Sequence, residues 1–441
     1  MRHLAILPAV SLRWNRYTLD QIYSVPKGNA SMDRINNADT AWVLISAALV
    51  MLMTPALGLF YGGLVRRKNV LATIMHSFFL LALISVQWVL VGYTLAFGPD
   101  AGGLGIIGGL KWLGLQALTP APNADYAPTI PHGAFIIYQA MFAVITPALI
   151  TGAFAERMRF KAFVLFSLLW ATVVYDPIAH WVWGQGGWLR SLGALDFAGG
   201  TVVHISSGMS ALVAAMVLGR RLSSGEEPLP HDATMNLLGA GLLWFGWFGF
   251  NAGSALAADG LAVQAFINTN TAAAMATLTW VTVSWAKGRR PSVLGAAAGS
   301  VAGLVAVTPA AGYVTVPAAM LIGLGAGLAC FWAVNLKPRL GVDDALDVWG
   351  VHGVGGVWGA LAVGIFATIS VNGAGANGLL YGNPLLLLKQ FLAVLVIAGY
   401  AMGMTWAILK FLERTVGLRV AEREEHLGLD ASQHGEAAYI N

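Results

Sequence analysis

Two histidines lie inside apolar, glycine-rich runs: His204 in "DFAGGTVVHISSG" and His352 in "VDDALDVWGVHGVGGVWG". A neutral imidazole carries one hydrogen-bond donor and one acceptor. Two of them edge to edge would form a short polar rail in an apolar lumen, able to hold a small hydrogen-bonding solute or to pass a proton. Ionisable side chains in lipid-bound segments are costly and need a partner; the further candidates are His76, Asp176, His180, Asp196 and Asp347. A structural hydrogen bond explains a lone histidine of this kind equally well. A pair at matching positions of two repeats argues for function. Asp196 stands just before its apolar run, where a carboxylate can accept the unpaired N–H groups of a helix start and gain from the helix dipole. A fixed negative charge near an entrance also favours cations.

Aromatic residues cluster close to these positions. "YQAMFAVIT" holds Tyr138 and Phe142, "VWGQGGW" holds Trp183 and Trp188, and "WFGWFGFNAGS" holds Trp244, Trp247 and Phe250. Interface belts and packing account for most of the tryptophans. Ring faces also attract a desolvated cation. A ring cluster at a vestibule beside an acid would draw in a small cation, and rings deeper down would exclude water and ions.

The elements that must position these residues follow from composition. The chain has 441 residues, 57% hydrophobic and 10% charged, whereas a soluble domain carries about 25% charged residues. Apolar runs of roughly 20 residues recur, each long enough to cross a bilayer as a helix. The pattern predicts an all-α polytopic membrane protein with eleven transmembrane helices near 40–64, 71–97, 134–154, 162–183, 200–219, 235–256, 262–285, 293–309, 315–335, 348–370 and 385–411. No alternating segments suggest a β-barrel. The glycine content fits close helix packing in lipid. Cys330 is the only cysteine, so neither an intrachain disulfide nor a cysteine metal site can form.

Thirteen Lys and Arg residues gather in alternate loops, around Arg66–Lys68, Arg157–Lys161, Arg220–Arg221, Lys287–Arg290 and Lys337–Arg339. Positive loops stay inside, which puts the N-terminus outside and the C-terminus inside. An odd number of spans fits an inverted 5+5 repeat plus one extra helix. His204 in span 5 and His352 in span 10 would then face each other near the midplane. The chain divides into an N-terminal extension (1–37), a membrane domain (38–411) and a polar cytoplasmic tail (412–441). Arg2, Arg13, Arg16 and Lys27 sit poorly outside the membrane, so Met32 is a candidate start, with removal of 1–31 or an outer tail as alternatives.

From about Asp39 to Tyr439 the sequence resembles the ammonium transporter family, the Amt/Mep/Rh group, and its bacterial Amt branch in particular. The resemblance rests on "PALGLFYGGLVRRKNVL", "ITGAFAERMRF", "DFAGGTVVHISSG", "WFGFNAGSALA", "VDDALDVWGVHGVGGVWG" and "GLRVAEREEHLGLDASQHGEAAY", in that order. It implies a recruitment site at Phe142, Trp183 and Ser254, a gate of Phe142 and Phe250, and a pore with a proton relay at His204 and His352. It also implies an essential acid near the entrance at Asp196 and a pore-lining Trp247. Asp344 and Asp347 fall in an acidic stretch read as helix-start and packing residues. Tyr138 departs from the family pattern, in which a phenylalanine is expected beside the gate. Homotrimers with one pore per subunit, residence in a bacterial cytoplasmic membrane, and an ordered tail that touches the neighbouring subunit are further implications. A PII-type regulator at the tail is also implied. No cofactor, metal, nucleic-acid partner or enzymatic activity is expected.

A mechanism follows in outline. Burial lowers the pKa of an amine by up to about 3–5 pH units from a value near 10. Ammonium pushed past the phenylalanines should therefore shed its proton, and ammonia can pass the histidines. Potassium cannot shed its charge and meets the full cost of desolvation. The proton is expected to travel along the histidine pair. Alternatives are a passive ammonia channel, a sensor with little flux, and a membrane-embedded enzyme. No HExxH or nucleophile-elbow motif supports the last.

Overall fold

The computed structural model describes residues 34–224, 230–288 and 290–439. The expectation for residues 1–31, with the alternative start at Met32, lies outside them, as does Arg289. Among the described residues the chain is helical, with only isolated β-bridges between loops. Helices α1 (Asn37–Gly62), α2 (Arg67–Phe97), α3 (His132–Ala153), α4 (160–183), α5 (Gly200–Leu218), α6 (Ala233–Ala252), α7 (Gly260–Ala286), α8 (Val293–Val307), α9 (Val316–Leu336), α10 (Trp349–Phe366) and α11 (Pro384–Thr415) follow in order.

Eight of the described helices are long and apolar enough to cross a membrane: α1 to α5 and α9 to α11. α8 is apolar but only 15 residues long. α6 and α7 are long, but they carry polar side chains that bond to neighbouring helices and to the turn between α8 and α9. Asn236 donates to the Phe60 carbonyl, Asn251 to Thr269, and Asn268 to the carbonyls of Ala311 and Val314. Such internal bonds satisfy polar groups that lipid could not.

Polar side chains also start the helices. Asn36 accepts from the amides of Ala38 and Asp39, Asp232 from Thr234 and Met235, and Asp259 from Leu261 and Ala262. Each occupies the N-cap position, where an oxygen meets otherwise unpaired donors. α6 packs along α1 through Gly239, Gly246 and Gly249, which back onto Phe60, Met53 and Leu49 with no room for a Cβ. Small residues at these helical spacings let backbones approach, the usual basis of packing in lipid.

The basic loops gather on one face together with the tail. Arg221 bridges Glu156 and Asp343, at 2.8 Å to each carboxylate. Burial opposes the charge of both acids. Arg221 nevertheless holds Asp343 down at about 2, and Arg221, the Arg66 amide and Asn69 hold Glu156 below the usual carboxylate range. The tail docks beside this cluster. Arg419 pairs with Glu425, Lys68 reaches the His426 carbonyl, and Asp430 accepts the amides of Leu71 and Ala72 in the first turn of α2. These contacts make the tail an ordered part of its own chain rather than a solvated run.

Replacing Arg221 with Gln removes the guanidinium that two buried carboxylates share, and breaking such a pair costs roughly 3 kcal/mol or more. The variant is expected to unfold at a lower temperature in detergent and to lose its tail faster to protease. Both acids are depressed in the folded state. Their stabilisation is therefore complete above about pH 5 and is lost as pH falls, for Asp343 down towards about 2. Thermal melts and timed proteolysis across pH 3–7 measure both effects.

Candidate functional site

α5 and α10 do not begin as ordinary α-helices. Gly200–Ile205 and Trp349–Gly353 each wind as a π-helical turn, and each turn carries one of the two histidines. An acid precedes each histidine by eight residues, Asp196 before His204 and Asp344 before His352. Asp196 accepts the amides of Gly199, Gly200, Thr201 and Val202 at 2.7, 2.8, 2.7 and 3.2 Å, together with the Thr201 hydroxyl. Asp344 accepts the Trp349 amide at 2.7 Å. The two half-sites thus place a buried carboxylate at the same offset before a π-helical turn. Asp196 takes up a fan of donors at its turn, while Asp344 takes the Trp349 amide on one oxygen and its other oxygen is without a partner.

The turns meet where α5 crosses α10. A Cβ on Gly208 would lie 2.1 Å from the Gly353 nitrogen, and one on Gly356 would lie 3.1 Å from the His204 Cβ. This backbone contact sets the rings side by side. His204 Nδ1 and His352 Nδ1 are 3.3 Å apart, with ring centroids at 5.3 Å. Two Nδ1 atoms at that distance form a hydrogen bond only when one carries a proton and the other is bare. In neutral rings the second histidine then holds its proton on Nε2. His204 Nε2 is buried and has no protein partner.

Aromatic rings cover the pair. Trp247 and Phe250 lie near-parallel to His204 at 5.4 and 5.9 Å. Phe142 packs on Phe250 at 4.3 Å and meets Trp183 edge-on at 6.0 Å. The Trp247 indole donates to Thr308, and the Trp183 indole donates to the Asp196 carbonyl. The space around the histidines is lined by Met53, Leu57, Ile145, Val203, Leu243 and Val301 as well as the rings. Its free volume of about 10 Å³ is roughly that of one water site. Beyond the phenylalanines the passage opens into a vestibule of about 640 Å³ that includes Gln139, Phe142, Trp183, Asp196 and Ser254.

The sequence-derived site residues therefore fall into one column. Phe142, Trp183 and Ser254 border the vestibule, and Phe142 and Phe250 stack beneath it. Trp247, His204 and His352 lie below the stack. Asp196 borders the vestibule, but both its oxygens are engaged by the start of α5, so it acts on the site as a cap. The other ionisable candidates lie elsewhere. His76 is enclosed by Phe154, Phe160 and Phe163, while His180 binds Asp100 and the Ala96 carbonyl. Asp176 accepts from Gln87, and Asp347 pairs with Lys337. Gln139 and Thr308 were not singled out from sequence. Gln139 borders the vestibule and Thr308 accepts from the Trp247 indole; polar residues of their kind recur through the helices, and nothing local marks which of them meet the site.

A bundle of apolar helices around a narrow ring-capped passage with buried imidazoles defines a membrane transport protein for a small solute. The Ammonium Transporter Family profile matches residues 41–439. The chain is 56% identical to an ammonium transporter of Bacillus subtilis, over 91% of this chain and 98% of that one. It superposes on Mep2 of Saccharomyces cerevisiae with a TM-score of 0.86 at 37% identity, covering 94% of this chain and 96% of that one. A sensor Amt protein matches with a TM-score of 0.82 at 31% identity, over 90% and 98% of the two chains. This chain belongs to the ammonium transporter family.

Two substitutions test the geometry. Asp196→Asn leaves one acceptor oxygen against a fan of donors and is expected to cost at least about 2 kcal/mol, read as a lower melting temperature in detergent with loss of uptake. Gly208→Ala forces α5 and α10 apart and is expected to abolish uptake of labelled methylammonium while protein still reaches the membrane.

Proposed function

We propose that this protein carries ammonium across the inner membrane of a bacterium. In this reading eleven helices span the bilayer, the N-terminus lies outside, the tail lies in the cytoplasm, and three copies assemble with one pore each. Ammonium is recruited at Phe142, Trp183 and Ser254, where ring faces and a hydroxyl oxygen replace part of its water. Passing Phe142 and Phe250, it enters a space too narrow for a hydration shell and gives up its proton. Ammonia then crosses beside His204 and His352.

The observation that carries the reading is the Nδ1–Nδ1 contact of the two imidazoles beneath stacked rings. A proton taken up at His204 Nε2 releases the one on its Nδ1 to the bare Nδ1 of His352. His352 then releases its own Nε2 proton. One positive charge crosses for each ammonia, and both rings end as the opposite neutral tautomers. An ion that cannot lose charge faces the desolvation cost unrelieved. The docked tail face is where a PII-type regulator and a neighbouring subunit would act.

The likeness to a sensor Amt protein supports a second reading, detection of ammonium with little flux. Purified protein in liposomes is expected to give an ammonium-dependent current with no potassium current, and His352→Ala is expected to remove it. Ammonia uptake without current would show a passive channel. Ligand binding without either would show a sensor.

A further inference from the structure

Tyr138 is fully buried on α3, one turn before Phe142. Its hydroxyl oxygen lies 2.9 Å from the carbonyl oxygens of both Gly249 and Phe250 and 3.1 Å from Ser254 Oγ. Ser254 Oγ also lies 2.9 Å from the Phe250 carbonyl. Carbonyl oxygens only accept, so a phenol oxygen held against two of them is best paired when its one proton goes to one of them and its lone pairs face Ser254. The Ser254 proton then has two acceptors in reach, the Phe250 carbonyl and the phenol oxygen, and both lie on the protein side. In either arrangement the lone pairs of Ser254 are what remains for the vestibule. Gly253 leaves the necessary space, since a Cβ there would come within 2.8 Å of the phenol oxygen.

We propose that Tyr138 is a positioning residue for the vestibule: its hydroxyl holds Ser254 with the proton turned inward, so that the site offers only lone pairs and favours a cation that donates hydrogen bonds. This rests on the reading of Ser254 as part of the recruitment site. A phenylalanine at 138 removes one of the two inward acceptors and leaves the Gly249 carbonyl without its phenol donor. The Phe250 carbonyl then holds the Ser254 proton alone, so the proton turns more often towards the vestibule, where it opposes an incoming ammonium. Tyr138 itself touches no solute. Because its hydroxyl ties the end of α6 to the helix that bears Phe142, it also holds the acceptor in register with the ring stack.

The test is methylammonium uptake by cells lacking their own ammonium uptake, normalised to the amount of each variant in the membrane. Tyr138→Phe is expected to raise the half-saturating concentration about threefold to tenfold, the worth of one hydrogen bond, with the maximal rate changed less than twofold. The same substitution should cost nothing further in a Ser254→Ala background, which has no hydroxyl to orient. It should cost again in a Ser254→Thr background, which keeps one. An equal cost in all three backgrounds, an effect on maximal rate alone, or no effect overturns the proposal. Should Ser254→Ala by itself leave half-saturation unchanged, the recruitment reading falls and this inference with it.

Discussion

The functional column depends on one close contact, the crossing of α5 and α10 at Gly208 and Gly353. Two backbones meet there with no space for a methyl group. At that separation the imidazoles of two different helices come within hydrogen-bond distance. A buried imidazole without a partner would carry an unsatisfied donor or acceptor, at a cost of about 1–3 kcal/mol. The pair lets each ring satisfy one nitrogen on the other and leaves His204 Nε2 free on an otherwise apolar wall.

The crossing would fail without support at both helix starts. A π-helical turn widens the backbone and frees donors, and Asp196 and Asp344 take these up from the same position relative to each histidine. The repetition is what an inverted internal repeat would produce. It also explains how an acid can border the vestibule with both its oxygens already engaged. The oxygens of Asp196 are committed to the backbone, and its influence on the vestibule passes through the geometry of α5 and the Trp183 indole.

The passage is asymmetric in the kind of interaction it offers. The vestibule is wide and gathers ring faces, hydroxyl and amide oxygens. The space beneath the phenylalanine stack is close to one water in size and nearly all apolar, apart from the two imidazoles. Moving between them strips hydration from any ion. Charge is tolerated again on the face with the tail, where Arg221, Glu156 and Asp343 form a buried cluster and the tail caps α2. That cluster joins residues from three loops and lies beside the docked tail.

Much of this was legible in the chain itself. Hydropathy marked the apolar runs, and motif order gave the family. The matching glycine-flanked histidines pointed to a pair. The column of Phe142, Phe250, Trp247, His204 and His352 came from those signals together. Without the matching repeat positions, local pattern would not separate His204 and His352 from His76 and His180, because an imidazole in an apolar run looks the same wherever its helix faces. The place of Asp196 before an apolar run was legible as a helix cap, but local pattern could not tell that Gln139 borders the vestibule or that Tyr138 stands behind Ser254. Residue types and periodicity are properties of a segment, and by themselves they determined the helices and their chemical inventory. Which nitrogen meets which across 148 residues of sequence was decided only by tertiary packing, since it depends on how closely two distant backbones can approach.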